Sequence, residues 1–178
     1  MSDQPLNILF LCTGNSARSI LGEALVNHIG QSWQDGTSEG RRLRGFSAGS
    51  TPTGAVNPVA LEVLGARGLV TEGLRSKSWD EFARPGAPAM DIIITVCDNA
   101  AGETCPVWPG HPAAGHWGLP DPAGVDGDHS DKLAAFEAIF HILKDRLEKL
   151  FGADGARLDR DGLCALLGEL GGASAGQG

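Results

Sequence analysis

The sequence predicts a doubly wound α/β domain, a mainly four-stranded parallel sheet flanked by helices. Three observations carry this prediction. Strand-like and helix-like segments alternate from Asn7 to Phe151, an order that right-handed crossovers turn into a parallel sheet. The run Asp91-Ile92-Ile93-Ile94-Thr95-Val96 is almost continuously apolar, as expected of a strand covered on both faces. Cys12 and Cys97 each follow directly on such an apolar run, and the carboxyl ends of parallel strands are where these sheets bind ligands.

Taken in order, Asn7 to Leu11 is a short β-prone run that Gly14 and Asn15 interrupt, after which Ile20, Leu21, Ala24, Leu25 and His28 recur at helical spacing. Leu43 to Ala48 reads as the second strand, closed by Gly49, and Asn57 to Ala66 as a helix with Val59, Ala60, Val63 and Leu64 on its apolar side. Trp79, Phe82 and Ala83 suggest a short helix before the strand at Asp91 to Val96. Gly and Pro crowd the stretch from Asp98 to Asp128, which predicts surface loop with one short strand at His116-Trp117. From Asp131 to Phe151, Leu133, Phe136, Ile139, Phe140, Leu143, Leu147 and Leu150 give a long amphipathic helix that should close the core. We expect one domain over residues 1–152 and a C-terminal extension over 153–178, partly helical through Leu158, Leu163, Leu166, Leu167 and Leu170, then flexible in its Gly-rich end.

A chain of 178 residues, 42% of them hydrophobic, suits a single core. Its formal net charge of −8 opposes a nucleic-acid surface and long-range attraction of anions. An anion site must therefore work at short range, through backbone N–H groups and a helix N-terminus. The apolar run Ile8 to Leu11 is too short for a signal peptide or membrane span, so a cytoplasmic protein without membrane attachment is expected. Cys12, Cys97, Cys105 and Cys164 are too sparse for a disulfide scaffold, and in a reducing compartment they stay thiols available for chemistry.

The segment Cys12-Thr13-Gly14-Asn15-Ser16-Ala17-Arg18 sets a cysteine at the end of the first strand and an arginine at the start of the helix. A loop of this length can wrap a tetrahedral oxyanion with successive amides while Arg18 offers a planar fork. The same field should lower the pKa of Cys12 and make it the dominant nucleophile. Gly14 permits close backbone approach, and the Ser16 and Ser19 hydroxyls can bond the thiolate or the loop. The plainer alternative is a strand-to-helix turn with a buried cysteine.

Leu11 to Ser19 resembles the phosphate loop of the low-molecular-weight tyrosine phosphatases and the arsenate reductases related to them. Phe46-Ser47-Ala48-Gly49, Thr95-Val96-Cys97-Asp98, Cys105-Pro106, His116-Trp117-Gly118 and Asp121-Pro122-Ala123 extend the match to about Phe151. The resemblance implies that Thr13, Gly14, Asn15, Ser16, Ala17, Arg18 and Ser19 bind the oxyanion, that Cys12 attacks it, and that Asp121 protonates the leaving oxygen. In the reductase branch it further implies that Cys97 attacks the Cys12 sulfur, releasing arsenite, and that Cys105 moves the disulfide to Cys97–Cys105. Phosphate and sulfate would compete with arsenate. Thioredoxin, glutaredoxin with glutathione, or another small thiol would restore the enzyme; no cofactor is expected to be tightly bound. Some of these reductases hold potassium, here matched by Asn15, Glu23 and Ser47.

Two features favour the reductase over a phosphotyrosine phosphatase. Ala123-Gly124 follow the Asp-Pro pair where aromatic residues usually grip a phenyl ring, and the chain contains no Tyr. Cys97 supplies the second thiol that a two-electron reduction needs. Against the thioredoxin-coupled members, the Cys97–Cys105 segment is one residue longer and Ala17 stands where Cys is frequent, which leaves the reductant open. A phosphatase, or an oxyanion or thiol sensor without turnover, are the rival readings. His111 and His116 are given no role, and Cys164, on an apolar face with Leu163 and Leu167, reads as a packed thiol.

Overall fold

A computed structural model describes residues 4–34, 42–98, 108–152 and 158–172. Strand β1 (Leu6–Cys12) leads into α1 (Arg18–Gln34), β2 (Leu43–Gly49), α2 (Pro58–Ala66), α3 (Asp80–Ala83), β3 (Ile92–Thr95), β4 (Ala113–His116), a 3-10 turn (Pro122–Gly124), α4 (His129–Gly152) and α5 (Arg160–Gly172). The sheet is four-stranded and entirely parallel, in the order β2-β1-β3-β4. The doubly wound architecture is the predicted one.

Alternation along β1 explains why it must be buried on both sides. Ile8, Phe10 and Cys12 face the larger core, with Ile20, Leu21 and Leu25 of α1 and Phe136, Ile139, Phe140 and Leu143 of α4. Leu9 and Leu11 face the other way, with Ala48, Phe82, Met90 and Ile93. Register then fixes the loops: Cys12 pairs with Gly49 on β2, and Leu11 with Thr95 on β3, so three strands end at one level.

Local signals set the helix starts. Asn57 caps α2, its side chain accepting from the Val59 N–H at 2.9 Å, with Pro58 at the first helical position. Asp128 and Asp131 cap α4 reciprocally: the Asp131 N–H donates to Asp128 at 3.0 Å and the Asp128 N–H to Asp131 at 3.2 Å. That pair starts the helix at His129, two residues before the start predicted at Asp131.

The fourth strand differs from expectation. It runs Ala113–His116, not His116-Trp117, because Ala113, Ala114 and Gly115 carry no β-prone pattern and become a strand through pairing with Ile92, Ile93 and Ile94. Helix α5 covers it. Leu163, Leu167 and Leu170 are buried, the Trp117 indole donates to the Leu167 carbonyl at 3.0 Å, and a Cβ at Gly115 would lie 2.7 Å from that of Leu167. Of the Gly-rich end expected to be flexible, residues 171–178, Gly171 and Gly172 instead close α5, and residues 173–178 lie outside the described residues.

Leu167 is fully buried against β4, so Leu167→Ala should destabilise the protein by ~2–5 kcal/mol in equilibrium denaturation. A loss below ~0.5 kcal/mol, the range of surface substitutions, would mean that α5 does not form part of the core in solution.

Candidate active site

β1 and β3 lie side by side and parallel, so the chain leaving each strand emerges at the same edge. This brings Cys12 and Cys97 together from 85 positions apart in sequence. Both are buried. The Cys97 sulfur accepts from the Thr13 N–H at 3.3 Å and lies 3.6 Å from the Thr13 hydroxyl, and Cys97 is near enough to Cys12 to raise the pKa of its thiol.

The loop between Cys12 and Arg18 turns its carbonyls outward. Thr13 O accepts from the Thr51 N–H at 3.0 Å, Gly14 O from the Thr53 N–H at 3.0 Å and the Ser76 hydroxyl at 3.2 Å, and Ser16 O from the Asn57 N–H at 2.9 Å. In a trans peptide the N–H of the next residue points opposite to the carbonyl, so the amides of Gly14, Asn15 and Ala17 face inward. The Gly14 amide already donates to the Cys12 sulfur. Gly49, at the end of β2, allows this packing, since any Cβ there would collide with the Thr13 carbonyl.

Asn15 holds the turn in the left-handed region, at φ 45°, which Asn tolerates better than other side-chain-bearing residues. Its fully buried amide donates to Ser19 Oγ at 2.8 Å and accepts from the Lys77 N–H at 2.9 Å. Ser19 thus serves the loop.

Arg18 opens α1 and reaches back across the mouth of the loop. Nη1 donates to the Leu119 carbonyl at 2.9 Å and Nη2 lies 3.9 Å from Asp121. Its Nε is buried with no partner among the described residues, a charged donor that an oxyanion would satisfy. Asp121 caps the 3-10 turn, accepting from the Ala123 N–H at 3.0 Å, and remains half-exposed at the mouth.

Thr13, Gly14, Asn15, Ser16, Ala17, Arg18 and Ser19 therefore form one loop with Cys12 at its root, and Cys97 and Asp121 approach it from two other segments. Cys105 lies outside the described residues. His116, given no role from sequence, bridges the Thr95 hydroxyl at 2.7 Å and Asp98 at 2.9 Å, at the foot of the segment that follows Cys97. Cys164 packs partly buried against the core.

The expected lowering of the Cys12 pKa is corrected. The thiol is raised above its ordinary value, first by the hydrogen bond to Cys97 and then by burial, against the downward pull of Arg18 and the Gly14 amide. With two sulfurs in contact, a second negative charge is opposed by the first, and the pair titrates as a unit.

The potassium match also changes. Glu23 and Ser47 do meet, but the cation beside them is an ammonium: Lys77 Nζ lies 3.6 Å from Glu23 and 3.5 Å from the Ser47 hydroxyl, while Asn15 reaches Lys77 only through its backbone N–H. Asn15 has both amide groups engaged, so these residues do not fit a potassium ion. Sequence gave no signal for Lys77, which sits among small polar residues without periodicity.

The family model described as low molecular weight phosphotyrosine protein phosphatase matches residues 7–163. The chain belongs to this family. Within it, a curated protein named arsenate reductase, from Bacillus licheniformis, is 32% identical over 143 residues, covering 80% of this chain and 92% of the relative. Among solved structures, a thioredoxin-dependent arsenate reductase from Corynebacterium glutamicum aligns with TM-score 0.60 and 23% identity, over 89% of this chain and 66% of that one. A low molecular weight protein tyrosine phosphatase from T. tengcongensis aligns with TM-score 0.63 and 20% identity, over 83% and 99% of the two chains. Those two structures share the fold of this family member.

Because Cys97 is the largest upward influence on Cys12, Cys97→Ala should lower the pH at which Cys12 is half-maximally alkylated by iodoacetamide, read by peptide mass spectrometry. An unchanged midpoint would mean that Cys97 does not hold the Cys12 proton.

Proposed function

We propose that this protein reduces arsenate to arsenite by a thiol relay in the bacterial cytoplasm. The observation that carries the reading is the second thiol: Cys97 is held against Cys12 by Thr13, where a phosphatase needs only one. The arsenate reductase relatives favour the same substrate.

In this reading the inward amides and Arg18 hold the arsenate oxygens while the Cys12 thiolate attacks arsenic. Asp121 gives its proton to the departing hydroxyl, which leaves as water. The product is a Cys12–S–As(V) adduct. The Cys97 thiolate then attacks the Cys12 sulfur; the S–As bond breaks, its electron pair stays on arsenic, and arsenite leaves with a Cys12–Cys97 disulfide behind. Cys105 next attacks Cys97, freeing the Cys12 thiolate and leaving a Cys97–Cys105 disulfide for an external dithiol. Thioredoxin is the reductant we favour, on likeness to a thioredoxin-dependent structure; glutaredoxin with glutathione, or a small thiol, would leave different adducts. Phosphate and sulfate compete for the loop. A residual phosphatase activity is compatible with Arg18 and Asp121, since the first step is common to both reactions.

A single turnover tests the scheme. Fully reduced protein mixed with arsenate should yield arsenite, lose two thiols and carry a Cys97–Cys105 link after acid trapping. Cys97→Ala should form no arsenite yet keep any hydrolysis of p-nitrophenyl phosphate. Thiols that survive intact, with no arsenite, would sink the reductase reading and leave the phosphatase.

Asp121→Asn should slow adduct formation by about 10²–10⁴-fold, the usual contribution of a general acid, measured by rapid-quench kinetics. An unchanged rate would remove Asp121 from proton transfer.

A further inference from the structure

Below the oxyanion loop the chain builds a cage for a monovalent cation and fills it with its own side chain. Lys77, between α2 and α3, is only 7% exposed. Its Nζ donates to the Arg75 carbonyl at 2.9 Å and to the Ser47 hydroxyl at 3.5 Å, and lies 3.6 Å from Glu23 Oε2. Ser47 donates its own proton to Glu23. The backbone of the same residue reaches the loop: its N–H donates to Asn15 Oδ1 at 2.9 Å, and its carbonyl accepts from the Gly49 N–H at 2.9 Å. One residue therefore clamps the left-handed corner of the loop and supplies the charge beneath it.

That charge has a specific opponent. Glu23 projects from the second turn of α1 and its side chain is only 12% exposed, close under a loop whose amides are arranged for an anion. An uncompensated carboxylate there would oppose any oxyanion and would be costly in itself. Burial pushes the Glu23 carboxyl up, and Lys77 is the largest influence pulling it down. Burial likewise pushes the Lys77 ammonium down, and Glu23 is what pulls it back up. Each opposes the shift that burial imposes on the other.

We infer that Lys77 is a positioning residue of the oxyanion loop: a built-in cation that balances Glu23 and anchors Asn15, making oxyanion binding independent of potassium. The activity part of the inference rests on the arsenate reductase reading; the binding part does not.

The test is calorimetric titration of inorganic phosphate into the reduced full-length protein, in potassium, sodium or tetramethylammonium chloride at equal ionic strength. Arsenate single turnovers are run alongside. The parent protein should bind phosphate equally in all three salts. Lys77→Ala should bind about tenfold more weakly in tetramethylammonium and recover in potassium or ammonium, which are small enough to enter the vacated cage. Lys77→Met, with the cage filled by a neutral chain, should stay weak in every salt.

Three outcomes overturn the inference: a parent protein that tightens on adding potassium, a Lys77→Ala variant with parental affinity throughout, or one weakened with no recovery in any cation. Should Lys77→Ala fail to fold, the parent comparison still decides, and Glu23→Gln with Lys77→Met removes both charges together; it should bind phosphate without any cation response, and a potassium response there would also overturn the inference. Phosphate binding with this salt pattern but no arsenite would remove the reductase reading and leave Lys77 in its role. Arsenite production by a potassium-stimulated parent would do the reverse.

Discussion

A loop that turns successive amides toward one point must turn carbonyls away from it, and those carbonyls need partners. Much of the molecule around the site answers that need. The segment after β2 supplies the Thr51, Thr53 and Asn57 amides, and Ser76 supplies a hydroxyl. β2 itself must end in a residue without a side chain, because Gly49 packs on the Thr13 carbonyl. The register of β1 with β2 and β3 brings these segments to the same level. The parallel sheet is thus less a container for the site than the device that delivers several chain segments to one rim.

The same geometry creates an electrostatic conflict. In the proposed relay, the Cys97 thiol brought to Cys12 also discourages the thiolate that would attack first. Only one negative charge is comfortable on two touching sulfurs. The Thr13 amide favours charge on Cys97, whereas Arg18 and the Gly14 amide favour it on Cys12. In the proposed reaction the attack would need the charge on Cys12 and the proton on Cys97, and the second step would need the anion on Cys97.

Most of this was legible in the sequence where local pattern and local structure agree. The apolar run before Cys12, the Gly14-Asn15 break and the helical spacing after Arg18 gave the strand, loop and helix, and Asp121-Pro122 marked the turn that brings Asp121 to the mouth of the loop. Where tertiary contacts make the structure, the pattern was silent. Ala113 to Gly115 form a strand because β3 and α5 bracket them. Lys77 is held by partners contributed from α1, β2 and its own segment, none of which leaves a mark at Lys77. The reversed shift on Cys12 has the same origin, since it depends on a neighbour 85 residues away.

An acidic chain that binds a dianion must rely on forces that act only at contact. At physiological salt the surface charge is screened within about 8 Å, and the largely enclosed Glu23 is paired with Lys77. What remains at the loop is a ring of amide dipoles and one guanidinium, which read a tetrahedral shape and its charge. Arsenate, phosphate and sulfate share that shape, so the loop cannot be where they are told apart. In the proposed reaction discrimination belongs to the next step: only arsenic departs with the electron pair of its bond to the Cys12 sulfur when a second thiol attacks that sulfur, and the residue that asks the question is Cys97.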